Sequence, residues 1–357
     1  MVKKILLIII LALVYALPPL ALAQEEILEG QVTQIVKEDV VVQADQKSLY
    51  QQLGILITHG SAKDKRITLK AAGLPLSGAG KYQVGDQVML SLNYGLAGEE
   101  IYNLVELVRR KQLLTLFLIF IVLVIAVGRW RGVASLAGLG LSFLVIFKLI
   151  LPQINQGKDP VRVAILASLL LIPLTFCLSH GWNKKTLVAM VGTLGALVLT
   201  GLLAKYFIDG MRLMGFASEE AGFLKASRSD FNIRGLILAG IIIGALGVLD
   251  DITVAQAAVV QQLKQSNAKL RPREVFWRAM KVGQDHIASM VNTLVLVYTG
   301  AALPLLLLFI SNPLPFSQVI NYEIIAEEVI RTLAGSIGLV AAVPLTTFLA
   351  SQVDLRN

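Results

Sequence analysis

Gly240-Ile241-Ile242-Ile243-Gly244-Ala245-Leu246-Gly247-Val248-Leu249-Asp250-Asp251-Ile252-Thr253-Val254-Ala255-Gln256 runs from an apolar, glycine-spaced segment straight into two carboxylates. The apolar run begins near residue 233, and neither Gly nor Pro interrupts residues 250 to 263, so one helix is expected to continue for several turns past the acids. Gly240 and Gly244 stand in the GxxxG spacing that lets helix backbones approach closely in a bilayer. Adjacent side chains on a helix point ~100° apart, so at most one of Asp250 and Asp251 faces any given groove. Asp250 with Thr253 is the better-spaced pair. Ionisable groups at membrane depth are costly and face a cavity or a partner.

Outward from this stretch the composition agrees. Hydrophobic residues make up 55% of the 357-residue chain and charged residues 16%, with a mean hydropathy of +0.71. Soluble domains carry about 25% charged residues, so the apolar excess must face lipid. Seven apolar segments lie near 113–128, 133–151, 161–179, 186–204, 233–249, 287–310 and 332–350. Crossing a hydrocarbon core takes roughly 20 residues, which most of them reach or approach. The expected fold is a mainly α-helical polytopic membrane protein, with about seven transmembrane helices in residues 111–357. Gly240, Gly244, Gly247, Gly335 and Gly338 are its expected helix-packing positions, and Pro173, Pro304 and Pro344 its expected kinks.

The net charge of +8 is spread over short connections, so it reads as topology and headgroup charge and argues against a nucleic-acid partner. Arg129, Arg131, Lys184, Lys185 and the basic stretch from Lys264 to Lys281 fall on one side. Glu323, Glu327 and Glu328 fall on the other, where residues 311–330 hold no Lys or Arg. The positive-inside rule assigns the first side, with the C-terminus, to the cytoplasm. Trp130, Trp182 and Trp277 lie at that interface as well.

Residues 1–23 join Lys3 and Lys4 to an apolar run and to Ala21-Leu22-Ala23, the pattern of a signal peptide cleaved after Ala23; an uncleaved anchor is the alternative. Residues 24–110 turn soluble. Short runs at 27–36, 40–42, 55–57, 67–69, 88–92 and 101–105 predict a small extracytoplasmic all-β barrel, OB-like at the turn from Tyr82 to Val88. Tyr50, Tyr82, Tyr94 and Tyr102 are scattered without a basic groove, which favours a structural or partner-docking role over nucleic-acid binding.

Past the basic connection, Asp285, Ser289 and Asn292 recur at i, i+4 and i+7, placing carboxylate, hydroxyl and amide on one helical stripe. The candidate ion- or substrate-binding residues are therefore Asp250, Asp251, Gln256, Asp285, His286, Ser289 and Asn292, against the competing reading of a polar boundary at headgroup level. Asp250, Asp251, Asp285 and His286 also have the chemistry of hard or borderline cation ligands, which leaves a metal open. Glu219-Glu220 and the i, i+4 pair of Glu327 with Arg331 read as interfacial helix features. No HExxH, GxSxG or Walker sequence occurs, so no catalytic residue and no cofactor is expected. The single Cys177 excludes an intramolecular disulfide and a cysteine-based cluster.

Gly244-Ala245-Leu246-Gly247-Val248-Leu249-Asp250-Asp251-Ile252-Thr253 and Gly283-Gln284-Asp285-His286-Ile287-Ala288-Ser289-Met290-Val291-Asn292-Thr293-Leu294 resemble two motifs of the YibE/F-like family of bacterial membrane proteins. Gly300-Ala301-Ala302-Leu303-Pro304, Glu328-Val329-Ile330-Arg331, Gly335-Ser336-Ile337-Gly338 and Val343-Pro344-Leu345-Thr346 extend the resemblance over most of the membrane region. It implies a multipass plasma-membrane protein with one Asp after the glycine-rich span and another opening the next motif. Those positions match Asp250 or Asp251, and Asp285; the doubled first Asp and the following His286 depart from the pattern. The expected function is a transporter or permease component for an unidentified solute or ion, with these carboxylates as the proton or cation site. The alternative is a non-transporting envelope scaffold whose exported β domain docks a partner. Expected partners are the lipid bilayer, the ion or solute, a protein at the exported domain and a second copy of the chain.

Overall fold

The computed structural model describes residues 26–355 apart from 44–45, 75–80, 96–97, 229 and 312–313, and the side chains of 41–43, 46–47 and 72–74. The expected signal peptide lies outside the described residues. Two compact units divide between Leu123 and Val124.

The first unit holds five antiparallel strands, β1 (Glu26–Gln43), β2 (Gln46–His59), β3 (Arg66–Leu74), β4 (Gln87–Tyr94) and β5 (Glu100–Leu107), in the order β3-β2-β1-β4-β5. Two of the expected short runs, 27–36 and 40–42, are one strand. Lys37, Glu38 and Asp39 between them hold neither Gly nor Pro and stay paired with Gln52, Gln51 and Tyr50. Register shifts at Glu29/Gly30, Val32/Gln34 and Ile35/Lys37 absorb the irregularity, and such bulges bend the long hairpin so that the sheet curls into a half-barrel. Alternate residues of β2, Leu49, Leu53, Ile55 and Ile57, are buried, and the last three pack with Leu28, Val32, Val88, Leu90 and Leu92 in one core. Gln51 is the polar member of that row. Its amide donates to the Tyr82 carbonyl at 3.2 Å and accepts from the Tyr82 N–H at 2.9 Å, which satisfies a buried group and ties the turn before β4 to the sheet.

Hydrogen bonds from Ser61 hold the Glu26 carboxyl below its ordinary value of 4.5, and Lys65 and then Tyr102 do the same for Glu100. A carboxyl depressed in the folded state stabilises the fold above its ordinary value, and that contribution is lost as pH falls through the lower folded value. Tyrosine ellipticity of the full-length protein is therefore expected to hold at neutral pH and to decline below about pH 4. Glu100→Gln should make the acid transition shallower; an unchanged slope would remove this carboxyl from the cause.

Helix α1 (Arg110–Val145) crosses the division between units and passes through a π-helical turn, Ile146–Ile150, into α2 (Leu151–Asn155). It breaks at Arg129, whose φ of 50° and ψ of −131° are non-helical and strained for an L-residue. A Cβ on Gly132 would overlap the Val124 carbonyl, so the backbone turns back on itself at this break. Then follow α3 (Pro160–His180), α4 (Lys184–Gly210), α5 (Glu219–Ser227), α6 (Ile233–Ser266), α7 (Pro272–Ala301), α8 (Leu303–Ser311), α9 (Phe316–Val319) and α10 (Glu323–Gln352). Asp159, Asn183, Ser218 and Asn232 cap α3, α4, α5 and α6 by accepting from backbone N–H groups. Among the described residues, five runs are long and apolar enough to cross a membrane: 110–155, α3, α4, α6 and α10. The α7–α8 pair, bent by 63°, makes a sixth if counted as one span. These helices mark a membrane protein. The segments expected separately at 113–128 and 133–151 fall in one run kinked at Arg129. The segment expected as continuous over 287–310 is broken at Ala302, where Pro304 sits in the first turn of α8 and its missing N–H is tolerated.

Helix α6 is central, packed against α3, α4, α7 and α10. Its Ile241, Leu249 and Ile252 join Ile172, Phe176, Ala196, Leu339 and Val343 in one core. Between α4 and α10, the Thr200 and Thr346 hydroxyls occupy the places that a Cβ on Gly338 and on Gly192 would take. Gly338 is thus a close-packing glycine. Gly247 and Gly335 face open space among the described residues. Gly240 and Gly244 face polar groups: a Cβ there would lie 3.5 Å from the Arg331 guanidinium and 3.8 Å from the Tyr298 hydroxyl. At the far end of α6, the Lys264 ammonium donates to the Ala350, Ser351 and Val353 carbonyls at 3.1, 2.7 and 2.6 Å, capping α10. Lys264→Met is expected to cost about 1.5–3 kcal/mol, the usual range for hydrogen bonds to a charged group, read as a lower unfolding midpoint in detergent.

Candidate functional site

Asp250 and Asp251 lie in the wall of a cleft of 640 Å³ between α1, α3 and α6. From α1 come Arg131, Ser135 and Ser142, and from α3 come Thr175, Ser179 and His180. Gly128, Gly132, Gly138 and Gly247 leave stretches of backbone bare along it. Local sequence sets these positions. Gly181, at φ 74°, ends α3 where an L-residue would be strained, so His180 sits in the last turn. The Asn183 amide donates to the His180 carbonyl at 3.0 Å, and the imidazole stands edge-on to Phe176 with centroids 6.3 Å apart. Ser142 and Thr175 donate back to the Gly138 and Leu171 carbonyls, which leaves their oxygen lone pairs for the cleft they line.

The unbroken α6 carries both carboxylates into this space. Asp250 is half-buried, and its Oδ1 is a buried atom without a hydrogen-bond partner among the described residues. Asp251 is exposed and lies within electrostatic reach of His180 and His286. The expected pairing of Asp250 with Thr253 takes a different form. The Thr253 hydroxyl donates to the Asp250 main-chain carbonyl at 3.2 Å and lies 2.7 Å from the Thr193 hydroxyl. It fastens α6 to α4 and leaves the carboxylate alone. An unsatisfied buried carboxylate oxygen is costly, and it marks a position that a proton or a cation would complete.

The other residues singled out from the sequence fall elsewhere. Gln256 is fully buried, and its amide donates to the Ala279 carbonyl at 3.1 Å and the Thr347 hydroxyl at 2.7 Å, joining α6, α7 and α10. Asp285, Ser289 and Asn292 are exposed on α7, outside the cleft, and their side chains have no polar partner among the described residues. His286 is half-buried and meets the site only through its reach to Asp251. No group of three or more His, Cys, Asp or Glu side chains able to hold a metal occurs among the described residues, so Asp250, Asp251, Asp285 and His286 are not assembled into one centre. Sequence reasoning missed Arg131, Ser135, Ser142, Thr175, Ser179 and His180. Their signal was faint: Thr175 and Ser179 stand at i, i+4 and Ser135 and Ser142 at i, i+7 within apolar helices.

A family model described as YibE/F-like protein matches residues 116–353, a range that takes in every residue of the cleft. No curated protein and no solved structure matches the chain.

Proposed function

Since this chain belongs to the YibE/F-like family, we propose that it is a transporter or permease component in which Asp250 and Asp251 take up and release a proton or small cation. The observation that carries this reading is the unpartnered, buried Oδ1 of Asp250 on the wall of a polar cleft. Hydroxyl lone pairs around it suit a positive ligand, and the Arg131 guanidinium supplies countercharge when the ligand leaves. Bare glycine backbone and the bent α7–α8 pair are features that movement in such proteins draws on.

The same reading assigns seven crossings. As one helix the run 110–155 would extend about 70 Å, more than twice a 30 Å hydrocarbon core, and Arg129 supplies a turn between two spans. With α3, α4, α6, the α7–α8 pair and α10, the basic connections then lie in the cytoplasm. The β unit lies outside the plasma membrane, behind a signal peptide. Its five curled antiparallel strands suit a partly open OB-like barrel.

The test is dissipation of imposed proton and cation gradients in proteoliposomes. Wild type is expected to dissipate at least one gradient, and Asp250→Asn to slow it tenfold or more, about 1.4 kcal/mol in barrier. Equal flux through both proteins, or none through either, would leave the scaffold reading in its place.

A further inference from the structure

Helix α7 presents polar chemistry where a lipid-facing helix presents apolar chemistry. Its inner edge, Val275, Ala279, Gly283 and Leu294, is buried, and α7 packs on α6 and α10. On the opposite edge Arg278, Lys281, Asp285, Ser289, Asn292 and Thr299 follow at helical spacing, with Val282 and Leu296 as the apolar members of the same edge, and all are exposed. The exposed faces of the other apolar helices carry Phe143, Leu166, Leu202 and Phe348 instead, as hydrocarbon requires. Asn292 and Ser289 belong to the apolar part of the bent α7–α8 pair, where an amide or hydroxyl without a partner is costly.

We infer that this edge is buried against the same edge of a second copy of the chain, in a homodimer whose two-fold axis lies along the membrane normal. The chemistry of the row is self-complementary. An amide and a hydroxyl each donate and accept, so Asn292 and Ser289 pair with their own counterparts across the axis. Lys281 and Asp285, one turn apart, offer opposite charges to the facing copy. This inference rests on α7 lying in the membrane and is independent of transport.

Cys177 is the only cysteine, so Cys177→Ser gives a background for single-cysteine variants in native membranes. On mild oxidation Asn292→Cys is expected to form a disulfide-linked dimer, while Leu202→Cys, on an exposed face of α4, stays monomeric. Absence of the dimer overturns the inference. Labelling of Asn292→Cys by an impermeant maleimide would then mean a water-lined face within one copy, and no labelling a lipid-facing one. An adduct of another size would mean a different protein and overturns it equally. Should Asn292→Cys fail to insert, Ser289→Cys repeats the test, and a monomeric mass for wild type in mild detergent overturns the inference on its own.

Discussion

Asp250→Leu is expected to yield a protein that resists unfolding better than wild type and neither binds nor moves the ion. Leucine keeps the branching of aspartate with a larger side chain, and it replaces the buried oxygen that lacks a donor with a methyl group at the wall of the cleft. Leaving such a group unsatisfied costs about 1–3 kcal/mol, so the variant should gain stability of that order. Functional sites hold such costs where a ligand relieves them, and a gain in stability at the expense of activity is their signature. Unfolding midpoints in detergent, measured beside flux in proteoliposomes, read both halves. A variant that is less stable than wild type would mean that the Asp250 carboxylate is satisfied in the membrane and has a structural role.

Gly283→Val is expected to be the most damaging single substitution in the helical unit. A Cβ at this position would lie 2.5 Å from Val343 Cγ1 and 3.1 and 3.2 Å from the Gln256 amide nitrogen and oxygen. The clash is with a methyl of Val343, a short β-branched side chain that is fully buried on a packed helix and restricted at χ1. The Gln256 amide would be pushed off both the Ala279 carbonyl and the Thr347 hydroxyl. Overpacking and a broken buried hydrogen-bond network together cost on the order of 3 kcal/mol or more. Gly335→Val, on α10 with open space beside it, is the matched control and should be near neutral. Comparable losses in the two variants, by yield and unfolding midpoint, would show that close approach at Gly283 is not the cause.

Alternation in β2 and the absence of breakers after Leu249 made the half-barrel core and the long α6 readable from the chain itself. Boundaries failed where a tertiary contact replaced a local signal. Residues 37–39 look like a turn and are held in β1 by pairing with β2, and α1 breaks at Arg129, the residue after Gly128, although glycines also stand inside unbroken helices of this chain such as α6. Half of the cleft was legible, because two carboxylates after an apolar run demand a reason. The α1 and α3 half was not, since Ser142 and Thr175 bond their own helix backbones as serine and threonine do in any membrane helix. Gln256 looked like a ligand because a buried amide needs partners. Those partners, on α7 and α10, are invisible in one dimension. The stripe of Asp285, Ser289 and Asn292 was visible too, but periodicity does not say which way a stripe faces.

The most direct measurement is thermal unfolding of the detergent-purified protein against a panel of cations and pH values, for wild type and Asp250→Asn. A ligand bound only by the folded state adds RT ln(1 + [L]/Kd), about 2.7 kcal/mol at a hundredfold excess over Kd. The expected result is a ligand-dependent shift in wild type that Asp250→Asn loses. Flat curves for both proteins, or a shift that the variant keeps in full, would contradict a proton or cation site at Asp250.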